Sequence, residues 1–160
     1  MSIEIKKCTA DDIPAIIDLM RSFAEYEDLG QYFQVTEERL HNAMFGSRGF
    51  VEGMVATDAG KPFAYALFYP YFASFRGQVG YYLEDIYIHD HYRRRGIGEA
   101  MLKTLAGLAK SRGYERIDFQ VLEWNEPAVR FYEKLGVIRD QEERHFKFID
   151  EAFHRLADGG

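Results

Sequence analysis

The segment of this sequence that most constrains its fold is the hexapeptide RRRGIG, residues 93–98, which joins a strand-like stretch to a helical pattern. Residues 79–89 before it indicate a strand, and after it one apolar helical face is formed by Met101, Leu102, Leu105, Leu108 and Ala109. A helix that begins directly after a glycine turn presents its unpaired N–H groups and the positive end of its dipole at one point. The pattern therefore predicts an anion site in the turn, and a surface turn with solvated arginines is the alternative.

The first half of the chain predicts one strand, two helices and then an antiparallel meander. A strand over residues 3–8 is followed by a helix capped by Thr9 or Asp11 and by a short helix from Thr36 to Gly46. Turn residues then separate three strand-like stretches, at residues 50–57, 63–71 and 79–89.

The second half alternates strands with helices, which indicates a locally parallel pair inside a mixed sheet. Strands are predicted at residues 117–122 and 145–149, and a short helix at residues 127–135, closed by Gly136. With 160 residues and no linker or repeat, we expect one domain over residues 1–160.

The composition of the chain disfavours several classes of protein. No apolar run approaches the roughly 20 residues of a membrane span, and no apolar signal segment is seen, so we expect a soluble cytoplasmic protein without a membrane partner. Cys8 is the only cysteine, which excludes an intrachain disulfide. The net charge of −6 disfavours a nucleic-acid partner and suits cationic small molecules. His89 and His91 have no clear third ligand, so no metal site is predicted.

Two common nucleotide motifs do not fit the glycines of this chain. Gly60 and Lys61 are followed by Pro62, where a Walker motif has Ser or Thr. Gly96 and Gly98 are followed by Met101, where a dinucleotide fingerprint has its third small residue. The loop therefore predicts neither a Walker nor a Rossmann nucleotide site.

Three segments instead resemble the GNAT superfamily, the Gcn5-related N-acetyltransferases: YLEDIYI at 82–88, YRRRGIG at 92–98 and EWNEPAVRFYEKLG at 123–136. Within it they are most similar to diamine acetyltransferases, which act on spermidine and spermine or on thialysine. The resemblance implies a twisted mixed α/β sheet of about seven strands flanked by about four helices, with a splayed parallel strand pair. It also implies acetyl-CoA as co-substrate and a homodimer.

By this resemblance the coenzyme is held by β-strand backbone groups, by the glycine loop and by the start of the helix at 127–135. The implied cofactor-binding residues are Ile86, Tyr87, Ile88, Arg93, Arg94, Arg95, Gly96, Ile97, Gly98, Glu99, Asn125, Pro127, Ala128 and Tyr132.

Two of the matching residues are catalytic candidates. Glu84 resembles the family's acidic residue that accepts the amine proton, and Tyr132 the tyrosine that protonates the coenzyme's sulfur. Strand alternation puts Glu84 and Asp85 on opposite faces, so that only one of them points into the acyl site, and we expect it to be Glu84. An ordinary polar strand position and a core tyrosine are the alternatives.

The acceptor site is expected to be acidic. Residues that resemble substrate-contacting positions of the family are Tyr26, Glu27, Glu84, Glu123 and Glu142, although carboxylates at a helix end are also commonly solvated. We therefore expect an acetyl-CoA-dependent N-acetyltransferase for a primary amine of a small cationic acceptor, polyamine-like or lysine-like. The alternatives are another amine (an amino acid, an aminoglycoside or a protein lysine) and a non-catalytic acyl-CoA-binding regulator, against which Glu84 and Tyr132 together argue.

Overall fold

The structure, a computed structural model, describes residues 1–141 and 143–159. It divides into two compact units, Met1–Gln120 and Val121–Gly160, and each is described by itself. The expectation of one domain for the whole chain stays a prediction.

The first unit is built on a five-stranded sheet in the order β1-β2-β3-β4-β5. Neighbouring strands are antiparallel except for the parallel pair of β4 and β5. The strands are β1 Ile3–Lys7, β2 Glu52–Asp58, β3 Lys61–Ala73, β4 Gln78–Ile88 and β5 Ile117–Asp118. The β2–β3 hairpin turns through Ala59 (φ 49°) and Gly60 (φ 82°), and two positive φ angles are what a two-residue turn between twisted strands requires.

Three helices of the first unit cover both faces of this sheet. They are α1 Ile13–Tyr26, α2 Glu37–Phe45 and α3 Ile97–Ser111. The hydroxyl oxygen of Thr36 accepts a hydrogen bond from the N–H of Arg39 and caps α2, as the sequence predicts. Alternate residues of β3 enter two cores: Ala64, Ala66 and Phe68 pack with α3, and Tyr65 and Leu67 pack with α1 and α2.

The second unit carries two helices, α4 Glu126–Lys134 and α5 Asp150–Ala157. The predicted strand at 145–149 is wrong, because these residues have no strand partner in the described chain, and α5, which follows them, was not predicted. The predicted strand at 117–122 shortens to β5, because only its first two residues pair with β4.

The expected fold class, a twisted mixed α/β sheet, is confirmed. The described residues form five strands and five α-helices, where the resemblance implies about seven strands and about four helices. The ladder between β4 and β5 joins Tyr81 to Ile117 and Tyr82 to Asp118 and then ends. Residues 83–88 of β4 therefore lack a strand partner on that side within the described chain, which agrees with the splayed strand pair that the resemblance implies. Among the described residues no helix has the length and apolarity that crossing a membrane requires.

Candidate active site

The loop at 93–98 adopts the geometry of an anion site. Arg94 (φ 61°) and Gly96 (φ 77°) both have positive φ angles, and α3 begins directly at Ile97. The first hydrogen bond across the helix start runs from the N–H of Ala100 to the oxygen of Gly96, so the N–H groups of residues 97–99 have no acceptor within the helix. A β-carbon on Gly96 would meet no atom within 4 Å, which means that the space before the helix terminus is open. Because the backbone is exposed and cationic side chains flank it, the loop fits a pyrophosphate.

The three arginines of the loop have different surroundings. Arg94 and Arg95 are exposed, and the Arg95 guanidinium lies 5.5 Å from the ring centroid of Tyr92. The Arg93 side chain instead donates from Nε to the oxygen of Ile88 (3.0 Å) and pairs with Asp90 (3.0 Å). Its guanidinium therefore contacts the end of β4. Glu99, at the start of α3, forms an ion pair with Lys103 at 2.8 Å.

A β-bulge in β4 decides where its two acidic residues point. Leu67 of β3 is paired with Asp85 and Phe68 with Leu83, so Glu84 is an extra residue without an opposite partner. The bulge shifts the alternation of side chains by one position. The prediction that Glu84 and Asp85 lie on opposite faces is therefore wrong.

Hydrogen bonds from one face of β3 confirm this arrangement. The hydroxyl of Tyr65 donates to Oδ2 of Asp85 at 2.9 Å, and that of Tyr69 donates to Oε2 of Glu84 at 3.0 Å. Tyr65 and Tyr69 are four residues apart on one strand and so share a face. Both carboxylates consequently face the side of the sheet that α1 and α2 cover.

Asp85 is the most strongly perturbed carboxylate of this face. Its pKa is raised to about 6: burial is the main cause, the hydrogen bond from Tyr65 opposes it, and the charge of Glu84 adds a smaller upward contribution. The pKa of Glu27, at the end of α1, is also raised, first by burial and then by the charge of Asp85. A buried group whose carboxylate is this costly to ionise is a functional-site candidate.

Glu27 and Asp85 both line a cavity of about 450 Å³ between the end of α1, the segment before α2 and the sheet. The Tyr65 side chain also lines it, as do the polar Gln34 and the cationic Arg39. The rest of the wall is apolar or aromatic: Met20, Phe23, Ala24, Leu29, Tyr32, Phe33 and Val35. Of the predicted acceptor residues, Glu27 lines the cavity, and Tyr26 lies next to it in the chain, under the Arg93 guanidinium. The sequence analysis chose Glu84 over Asp85, because only the bulge turns Asp85 toward this cavity.

The three β4 residues that are expected to hold the coenzyme through their backbone groups follow the bulge. Tyr87 is buried and stacks on Phe23 with ring centroids 5.2 Å apart, while Ile86 and Ile88 pack toward α3. Their side chains are therefore occupied by the two cores. Their backbone groups lie on the stretch of β4 that β5 leaves unpaired, where they fit an extended ligand.

The second unit holds the other predicted catalytic residue. The side-chain oxygen of the buried Asn125 accepts a hydrogen bond from the N–H of Ala128 at 3.4 Å, and Pro127 occupies the first turn, so α4 begins as predicted. Tyr132 is half-buried, and burial raises its pKa to about 12. The phenol is therefore protonated at neutral pH and able to donate a proton.

Two predicted acceptor carboxylates also belong to this unit. Glu123 is exposed and contacts Arg139, with 3.5 Å between the nearest nitrogen and oxygen. Glu142 lies outside the described residues.

Comparison with known proteins identifies a family match over most of the chain. The sequence profile of the acetyltransferase (GNAT) family matches residues 13–137. Thialysine N-epsilon-acetyltransferases of Bos taurus and Sus scrofa are 33% and 34% identical, over 97% and 98% of this chain and of their own lengths. Among solved structures, an integron cassette protein from V. cholerae has a TM-score of 0.80 and 24% identity, covering 98% of both chains.

Proposed function

The chain belongs to the acetyltransferase (GNAT) family and is an N-acetyltransferase, and we propose that it moves the acetyl group of acetyl-CoA to a primary amine of a small cationic acceptor, polyamine-like or lysine-like. The cavity that contains Glu27 and Asp85 carries this proposal, because two carboxylates against one cationic side chain, Arg39, in a largely apolar wall leave a net negative site that favours a bound ammonium group. The names of the two relatives, thialysine N-epsilon-acetyltransferases, support the same class of acceptor.

Glu84 is the proposed base. A primary amine like that of lysine has a pKa near about 10.4 and arrives as an ammonium ion, which cannot attack a carbonyl. Glu84 is exposed and accepts a hydrogen bond from Tyr69, which fixes the direction of its carboxylate. In the proposed reaction this carboxylate takes the ammonium proton, directly or through water, before the amine nitrogen bonds to the acyl carbon.

Tyr132 is the proposed acid. Acetyl-CoA supplies the acyl group as a thioester, and transfer breaks the carbon–sulfur bond. The phenol of Tyr132, whose pKa burial raises to about 12, is protonated at neutral pH and provides the proton for the departing thiolate. Backbone N–H groups of β4 beyond the bulge are the proposed donors to the thioester oxygen.

The test measures free-thiol release with acetyl-CoA and a panel of amines: thialysine, lysine, spermidine and an uncharged aromatic amine. We expect release with cationic amines and a loss of kcat of about 10²-fold or more in Glu84→Gln and in Tyr132→Phe. In Glu84→Gln the rise of rate with pH should also flatten.

The matched controls are Glu115→Gln and Tyr114→Phe, which lie outside the proposed site and should retain turnover. Thiol release confined to the uncharged amine would reject a cationic acceptor. Saturable binding of acetyl-CoA without release for any amine would instead identify a non-catalytic regulator.

The assembly and location of the enzyme are part of the proposal. We propose a cytoplasmic homodimer, and exposed apolar side chains near the end of the chain, Phe146, Phe148, Phe153 and Leu156, support a partner surface there. Light scattering that gives a single monomeric mass would contradict the dimer. Fractionation that recovers the protein with membranes would contradict the location.

A further inference from the structure

Arg93 links the glycine loop to the end of α1. Its Cζ lies 4.7 Å from the ring centroid of Tyr26 and 5.4 Å from that of Tyr87, so the guanidinium contacts both rings. Its hydrogen bond to Ile88 and its ion pair with Asp90 fix it in this position. A planar guanidinium that both stacks and donates is a geometry that lysine cannot reproduce.

Both rings under Arg93 belong to elements that form the acidic cavity. Tyr26 is the last residue of α1 and precedes Glu27, which lines the cavity. Tyr87 stacks on Phe23, with 5.2 Å between ring centroids, and Phe23 also lines the cavity. Arg93 is therefore linked to the cavity wall in two ways. It contacts Tyr26, which is adjacent to Glu27 in the chain, and it contacts Tyr87, which stacks on Phe23.

From these contacts we propose that Arg93 is a positioning residue that couples occupancy of the glycine loop to the acceptor cavity, so that bound coenzyme raises the affinity for the amine. This inference rests on the proposed function, since it concerns the same two ligands. A coenzyme held by backbone N–H groups of residues 94–98 restricts the backbone that carries Arg93. The stacked guanidinium then orders the last turn of α1, and the amine meets a cavity wall that is already fixed.

The first experiment measures the dissociation constant of thialysine by calorimetry, without coenzyme and with saturating CoA, which supports no turnover. In the wild type we expect CoA to tighten thialysine binding about tenfold, within the usual range of coupling between sites. In Arg93→Lys, which keeps the charge but loses the planar stack, this ratio should fall close to one. Tyr26→Phe keeps the ring and should keep the ratio, whereas Tyr26→Leu should reduce it.

Arg94→Lys is the matched control. Arg94 belongs to the same loop but is exposed and makes no ion pair or ring contact within the described part of the chain. This variant is expected to weaken CoA binding while leaving the coupling ratio intact. A fall of the ratio in Arg94→Lys as large as in Arg93→Lys would overturn the specific role of Arg93.

Hydrogen exchange provides a readout that does not depend on the amine. CoA should slow amide exchange of residues 23–29 in the wild type and in Arg94→Lys, and should slow only the loop in Arg93→Lys. Equal protection of residues 23–29 in Arg93→Lys would overturn the inference while the proposed function stands. If the wild type binds no CoA, the proposed function fails and this inference fails with it.

Discussion

The face of the sheet that packs on α3 buries aliphatic and aromatic side chains, whereas the face that packs on α1 and α2 also holds the half-buried carboxylate of Asp85. On the α3 face, Phe68 and Leu83 meet Met101 and Leu105 in one apolar cluster. On the other face, Tyr65 donates its hydroxyl hydrogen to Asp85 beside Glu27. An apolar core stabilises the fold, but a buried carboxylate with a raised pKa opposes folding. Both faces bury an apolar core, and the face that packs on α1 and α2 in addition gives up some stability to hold carboxylates beside the cavity proposed for the acceptor.

The largest effect on stability is expected from truncation on the α3 face. Leu105 is only 1% exposed, so Leu105→Ala should lower the free energy of unfolding by about 3 kcal/mol through lost burial and a cavity. Urea unfolding measures this change. Because the proposed acceptor cavity is on the other face, KM for the amine should not change in the folded variant. A large rise in KM would contradict the division of roles between the faces.

The next largest effect is the pH dependence that Asp85 imparts to stability. Its folded-state pKa of about 6 lies above the ordinary aspartate value of 3.8, so its contribution to stability is full below about pH 4 and is lost as pH rises through about 6. The difference amounts to about 3 kcal/mol. Urea unfolding of wild type and Asp85→Asn from pH 4 to 7 should show wild type losing stability relative to the variant.

Asp118 provides the control with the opposite sign. Hydrogen bonds from Arg116 lower the pKa of Asp118, so its contribution is present at neutral pH and is lost as pH falls through its folded-state pKa. Relative to Asp118→Asn, wild type should therefore gain stability as pH rises. Parallel slopes for the two aspartates would contradict the assignment of Asp85 as a buried carboxylate with a raised pKa.

A smaller effect is expected from Tyr65→Phe, which removes the hydrogen bond to Asp85. Since that bond lowers the pKa of Asp85, its loss should raise the pKa further and cost about 1 kcal/mol of stability. If ionised Asp85 binds the ammonium group of the acceptor, the acid limb of kcat/KM for the amine should move to higher pH. The pH profile of kcat/KM measures this shift. An acid limb that stays at the same pH would show that Asp85 does not take part in acceptor binding.

The smallest effect is expected at the partly exposed ion pair on the α3 face. Arg112 lies 2.7 Å from Glu52 and also contacts the hydroxyl of Tyr81, but its side chain is 39% exposed. Solvent screening limits such pairs to less than about 1 kcal/mol, so Arg112→Gln should change the urea midpoint only slightly and less at high salt. A loss comparable to that of Leu105→Ala would show that this face also depends on charge.

Local patterns predicted much of the first unit. The predicted strand at 79–89 corresponds to β4, and the helix that follows the glycine loop corresponds to α3, with Gly113 (φ 77°) just beyond its end. These elements depend on side-chain period and on turn residues that are neighbours in the chain. The strand at 145–149 failed because alternation alone does not provide a partner strand.

The sequence by itself determined the glycine loop, the apolar face of α3, the start of α4 and the similarity to one enzyme family, because each of these depends on residues that are close together in the chain. Only the tertiary structure decided that Glu84 and Asp85 share a face, since the bulge in β4 depends on its register with β3. Likewise, only tertiary packing brings Arg93 over Tyr26 and Tyr87 and raises the pKa of Asp85. Stacking and burial depend on neighbours that are distant in sequence, and no local pattern encodes them.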